Sequence, residues 1–136
     1  MNRSESGSAP ISMALGLGLL VIPVLLLVLT IPTWEARSVD ARDAAAAAAR
    51  ALAVSDTWSD GVAAAGQVVA EIEENNGLSA QDVAVSYQGS LVRGGTVTAE
   101  VTVLIPAGRV PGIGSFGAVH YSATSTQQVD DYRSFG

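Results

Sequence analysis

The chain has 136 residues, a formal net charge of −6 and a hydrophobic content of 49%, with only 5% aromatic residues. Because it has no cysteine, disulfides and cysteine-ligated metal sites are excluded, and its acidic balance gives no electrostatic basis for binding nucleic acid. If the first third is membrane-associated, about 100 residues remain, enough for one small domain with a thin, Ala- and Val-rich core.

A long apolar segment follows a polar leader at residues 1–10. Residues 6–34 carry no ionisable side chain, whereas ~20 apolar residues suffice to span a bilayer, so we predict a transmembrane helix at residues 11–33. A signal peptide has a shorter apolar core and a small-x-small cleavage site, which TIPTWEAR lacks. The positive charges of Arg3 and the amino terminus favour a cytoplasmic N-terminus and an external C-terminal domain.

Small residues recur four apart in this segment, which lets helices approach closely. Pro23 removes a backbone donor in mid-span and predicts a kink that neighbouring helices tolerate. The residues predicted to pack helices together in the membrane are Ser12, Ala14, Gly16, Gly18 and Pro23. Trp34 stands where an interfacial aromatic residue is expected.

An Ala-rich helical stem is predicted at residues 34–55, because Ala has the highest helix propensity and nothing interrupts the run. Its low-profile face is either solvated, as in a stalk, or packed against identical neighbours or the chain's own domain. The predicted stem-packing residues are Ala41, Ala44, Ala45, Ala48 and Ala49.

Residues 56–129 are predicted to form a small α/β domain. A second helix from Gly61 to Asn75, capped by Asp60 or Ser59, ends at NNG. The hydrophobic period then changes to two at residues 83–87, 96–105 and 118–129, with a Gly/Pro-rich loop at residues 106–117. We predict an α+β fold: the long helix, the shorter helix, and a three-stranded antiparallel meander packed on the shorter helix. Residues 130–136 form a polar tail.

No motif predicts an active site. GIGSFG matches G-x-G-x-x-G, but it lacks the preceding strand and following helix that a dinucleotide site needs. His120 is the only histidine, and no calcium-loop spacing surrounds Asp130 and Asp131. We therefore expect no catalytic, cofactor or metal site.

The order of these segments resembles the TadE-like minor pilins, or pseudopilins, of the tight-adherence (Flp) pilus system in their actinobacterial form. The resemblance is carried by SGSAPISMALGLGLLVIPVLLLVL, by ARDAAAAAARALAV, and by the late strand that ends in VDDYR. Members often begin with G-x-x-x-[small/apolar]-E-[FY]. In the resembling pattern, Gly7 precedes the peptidase cut and Ser8 becomes the new N-terminus. The family's Glu five residues on is replaced by Ser12.

The resemblance implies a pilin-like fold and a structural, non-enzymatic role without cofactor. Such a subunit is held in the cytoplasmic membrane and helps to initiate or decorate a thin pilus. Its partners would be other pilin or pseudopilin subunits, in homo- or hetero-oligomers, and the membrane assembly platform. The absent Glu favours a minor or membrane-retained role over a major fibre subunit.

Two other functions stay open at the level of sequence. One is a generic single-pass envelope protein with a protein-binding outer domain, which predicts no cut near Gly7. The other is a secreted binding or effector protein released by a cut near Ala36.

Overall fold

The structure, a computed structural model, describes residues 8–110 and 112–132. Its elements in chain order are helix α1 (Ser8–Val54), helix α2 (Trp58–Asn75), a 3-10 turn (Ala80–Asp82), and strands β1 (Val83–Gly89), β2 (Thr96–Val110) and β3 (Gly114–Gln128). The predicted α+β class is confirmed. Gly7 and most of the predicted leader and tail lie outside the described residues.

Helix α1 unites the predicted membrane helix and the predicted stem. It runs for 47 residues, and both Pro23 and Pro32 lie inside it. It ends at Val54, where the Ser55 amide bonds to the carbonyl of Leu52. The chain then reverses within three residues into α2.

Helix α2 begins three residues earlier than predicted. Its N-cap is Thr57, whose hydroxyl accepts a hydrogen bond from the Asp60 amide, so the predicted caps Asp60 and Ser59 are wrong. The predicted C-terminal signal is confirmed, because Asn76 is the C-cap and Gly77 has a φ of 62°. Because glycine has no Cβ, the left-handed conformation at Gly77 costs little conformational free energy.

The three strands form an antiparallel meander in the order β1-β2-β3, as predicted. Its inner face buries alternate residues of β2, namely Val97, Ala99, Val101, Val103 and Ile105. On the outer face, hydroxyl pairs cross the strands, with Thr98 beside Thr126 at 2.9 Å and Thr102 beside Ser122 at 2.7 Å.

Two expectations about the sheet are wrong. The sheet packs mainly on α1, and α2 packs on α1 from another side, so α1 rather than α2 is the central element. The small Ala side chains of α1 allow both the sheet and α2 to approach it closely. The periodicity of α2 did not indicate that α2 packs on α1 and not on the sheet.

The second correction concerns residues 106–117, predicted as a loop. Most of them belong instead to the two paired strands of a hairpin, because β2 extends to Val110 and β3 starts at Gly114. Phe116 lies directly across from Gly108 and its ring covers that residue, since a Cβ added at Gly108 would collide with the ring. An aromatic side chain over a strand glycine supplies the contact that the glycine cannot make.

Candidate functional site

The candidate functional site is the length of α1, which divides into two halves of opposite character. From Ile11 to Leu29 its large apolar side chains are exposed, Leu26 being the partly buried exception, with exposed fractions from 48% at Val21 to 76% at Leu19. Within the described residues, α1 is the one helix long and apolar enough to cross a membrane. A continuous apolar surface of this extent needs lipid or protein around it.

The small residues predicted to pack helices lie on this open half. Ser12, Ala14 and Gly16 are exposed and Gly18 is partly exposed. A Cβ added at Gly16 or Gly18 would meet no atom within 4 Å, so nothing in the single chain fills these notches. Helix–helix packing there stays a prediction. Ser8 is the first residue of α1, whereas Gly7 lies outside the described residues, so processing between them also stays a prediction.

The second half of α1 is buried. Ala41, Ala44, Ala45, Ala48 and Ala49 are each at most 3% exposed, and Leu52 is fully buried. They belong to one core with Ala65 and Val69 of α2 and with the inner face of the sheet. The sequence left open whether solvent, identical neighbours or the chain's own domain covers this face. In the structure, the chain's own domain covers it.

Two polar contacts fix the sheet to α1 near the boundary between its halves. The indole Nε1 of Trp34 donates to the carbonyl of Pro106 at 3.0 Å. Further along, the Arg42 Nε donates to the Tyr121 hydroxyl at 2.9 Å, and its guanidinium carbon lies 5.8 Å from the centroid of the same ring. Sequence reasoning missed both contacts, because they join residues more than 70 positions apart and no local pattern indicates them.

The described residues offer little for catalysis. No three His, Asp or Glu side chains there are grouped to hold a metal ion. His120 is exposed on β3 opposite Leu104, and GIGSFG runs into strand β3 rather than into a helix. Burial raises the pKa of Tyr87, but this residue lies against the core.

An open recess of about 420 Å³ lies where α1 and β3 end. Its lining comprises Arg50, Ala53, Val54, Gln127, Gln128 and Asp130. It combines one cation, one carboxylate and two amides without a nucleophile and base in contact, so its geometry supports no reaction.

No family model, curated protein or solved structure matches the chain.

Proposed function

We propose that the protein is a minor pilin-like structural subunit, held in the cytoplasmic membrane by α1, that takes part in initiating or decorating a tight-adherence, type IV-like pilus. Its N-terminus faces the cytoplasm and its small domain lies outside. Its partners are other pilin-like subunits and the membrane assembly platform, and in this role it has no catalytic site.

The observation that carries the proposal is the division of one unbroken 47-residue helix. Its first half exposes apolar side chains along its length, while its second half is the centre of a small α+β domain. In a subunit built this way, the apolar half of α1 lies in lipid before assembly and exchanges that lipid for the same segments of neighbouring subunits during assembly. The open notches at Gly16 and Gly18 would let these segments approach closely.

Ser12 supports a minor rather than a major role. In the resembling family, a Glu at this position pairs with the N-terminal amine of a neighbouring subunit. A serine hydroxyl carries no charge and supplies no such ion pair.

The first experiment is mass spectrometry of the mature N-terminus from membrane, sheared-surface and culture fractions. We expect a chain that begins at Ser8 in the membrane and sheared-surface fractions. An intact chain starting at Met1 in membranes would instead indicate a plain membrane anchor. A chain starting near Arg37 in the medium would indicate a secreted protein and would refute the proposal.

A second experiment tests packing between these segments. Successive helical residues are separated by about 100° around the axis, so Gly16 and Gly18 lie on nearly opposite sides of the helix and Leu17 lies about 100° away from each of them. In a chain without cysteine, Gly16→Cys and Gly18→Cys should form disulfide-linked subunits in cells, and the matched Leu17→Cys control should form fewer. Equal cross-linking at all three positions would contradict close packing through the small residues.

A further inference from the structure

The hairpin of β2 and β3 continues well beyond the edge of the sheet. Strand β1 pairs only with residues 97–103, whereas the β2–β3 ladder extends to Val110 opposite Gly114. Residues 104–110 of β2 and 114–120 of β3 therefore form a two-stranded arm, hereafter the arm. Because an isolated two-stranded hairpin is marginally stable in water, the arm needs a surface to support it.

One such surface is the apolar half of α1. Beyond the Trp34–Pro106 hydrogen bond, the arm and the helix enclose an apolar recess of about 400 Å³. Its lining includes Pro23, Leu26, Leu27 and Thr30 from the helix, with Gly108 and Phe116 from the arm. Thr30 is only 8% exposed, and its hydroxyl donates to the Leu27 carbonyl at 2.7 Å. The arm thus runs beside the helix toward its N-terminal end.

Helix geometry gives the depth that the arm reaches. At 1.5 Å per residue, the 20 or so residues needed to span a bilayer end near Leu27 if the span starts at Ser8, and near Thr30 if it starts at Ile11. Pro106 lies at the level of Trp34, and at about 3.3 Å per strand residue the four steps to Val110, the last residue of β2, reach about 13 Å further, near the level of Leu25. Val110 is then about 3–8 Å inside the hydrocarbon boundary, close to the depth at which interfacial segments bury their apolar faces.

The exposed surface of the arm suits that depth. Ile113 is 86% exposed, Phe116 56% and Val119 50%. Residues 106–119 contain no acidic residue, and Arg109 is their one basic residue, in a chain whose net charge is −6. Because the tip segment carries no carboxylate, anionic lipid headgroups do not repel it. The surface is also continuous, through the shared recess, with the exposed apolar face of α1.

We propose that the arm is a second membrane contact, whose tip enters the outer leaflet beside the helix that anchors the same chain. It rests on the proposed anchoring by α1. The arm must stay close to the lipid headgroups, because the backbone groups on the outer edges of its two strands need water, headgroups or the adjacent helix as partners and are costly to leave unpaired in hydrocarbon. The arm and helix together fix the height and tilt of the outer domain above the membrane.

The test uses the cysteine-free full chain, reconstituted in vesicles of phosphatidylcholine and phosphatidylglycerol. A fluorescent label is attached at Ile113→Cys, at Leu20→Cys as a marker of the anchor, and at Val92→Cys as the control. Val92 is an apolar residue, 57% exposed, in the β1–β2 connection away from the arm. Quenching is measured with nitroxide-labelled phosphatidylcholine and with aqueous iodide.

We expect lipid quenching at Ile113 to be several-fold greater than at Val92, with iodide quenching in the reverse order. If Leu20 is quenched by lipid while Ile113 behaves like Val92, the arm proposal is overturned and the anchor stands. If none of the three labels responds to lipid, both proposals fail. If the Ile113 label is shielded from iodide without lipid quenching, a second copy of this chain covers the arm and the lipid assignment is wrong.

Discussion

Replacing Ala48 by Leu tests whether the Ala face of α1 belongs to the chain's own core. Ala48 is 0% exposed, between the neighbouring buried residues Ala45 and Ala49. A leucine adds three heavy atoms at a position with no free volume toward solvent. Because close-packed interiors relax only partly, overpacking of this kind costs about 1–3 kcal/mol.

That cost is a large fraction of the stability of a small domain. For a domain of this size, each 1 kcal/mol lowers the Tm by roughly 4–8 °C, so we expect Ala48→Leu to lower it by about 5–20 °C. The assay is thermal unfolding of the full chain in detergent micelles, followed by circular dichroism. Ala63→Leu is the matched control, since Ala63 is an exposed alanine of α2 and its substitution should change the Tm little.

The reasoning would be refuted if both variants unfolded at the wild-type temperature. Ala48 would then face solvent or a neighbouring subunit rather than the sheet. Loss of assembly without loss of stability in Ala48→Leu would point to the same conclusion, because the face would be an intermolecular surface.

Three further predictions concern the outer domain. Gly66→Ala should raise the free energy of unfolding by about 0.5–1 kcal/mol, because Gly66 lies inside α2 and an added Cβ meets nothing within 4 Å. Gly61→Ala is the matched comparison, because its added Cβ would lie only 3.1 Å from a methyl of Leu52. If urea unfolding showed the same increase in the free energy of unfolding for Gly61→Ala as for Gly66→Ala, the tight contact between the two helices would be contradicted. Thr57→Ala should lower the free energy of unfolding by about 1 kcal/mol, because it removes the N-cap hydroxyl. Thr57→Ser keeps a hydroxyl and should retain most of that stability. Equal urea midpoints for Thr57→Ala and Thr57→Ser would contradict the cap assignment. Burial raises the pKa of Tyr87 above its ordinary value of 10.0, so this residue's contribution to stability is complete below about pH 10 and falls as the pH rises through the folded-state pKa. Tyr87→Phe should therefore reduce the alkaline loss of stability, and unchanged pH profiles of unfolding would exclude this cause.

The elements with one clear period were predictable. Strand β2 alternates polar and apolar residues from Thr96 to Val103, and its apolar set is the buried one. The turn at Gly77 was also predictable, because a local backbone requirement selects the residue. In both cases the information lies within a few neighbouring residues.

The arm was not predictable in this way. Gly108, Gly112 and Gly114 are typical of a loop, yet β2 and β3 continue their pairing to Val110 and Gly114. Pairing with the opposite strand, the ring of Phe116 over Gly108 and the adjacent helix replace the missing local propensity. These are contacts between distant residues, and strand propensity depends strongly on such context.

The sequence by itself determined the apolar rod, the Ala-rich continuation and the succession of helix and strands. Each follows from hydropathy, helix propensity or periodicity within a single segment. Only the tertiary structure decided which element is central and where the hairpin lies. The Ala face of α1 has little area of its own, and it admits the sheet on one side and α2 on another because small side chains let both backbones approach. No local pattern encodes that choice, since it depends on how three surfaces fit together in space.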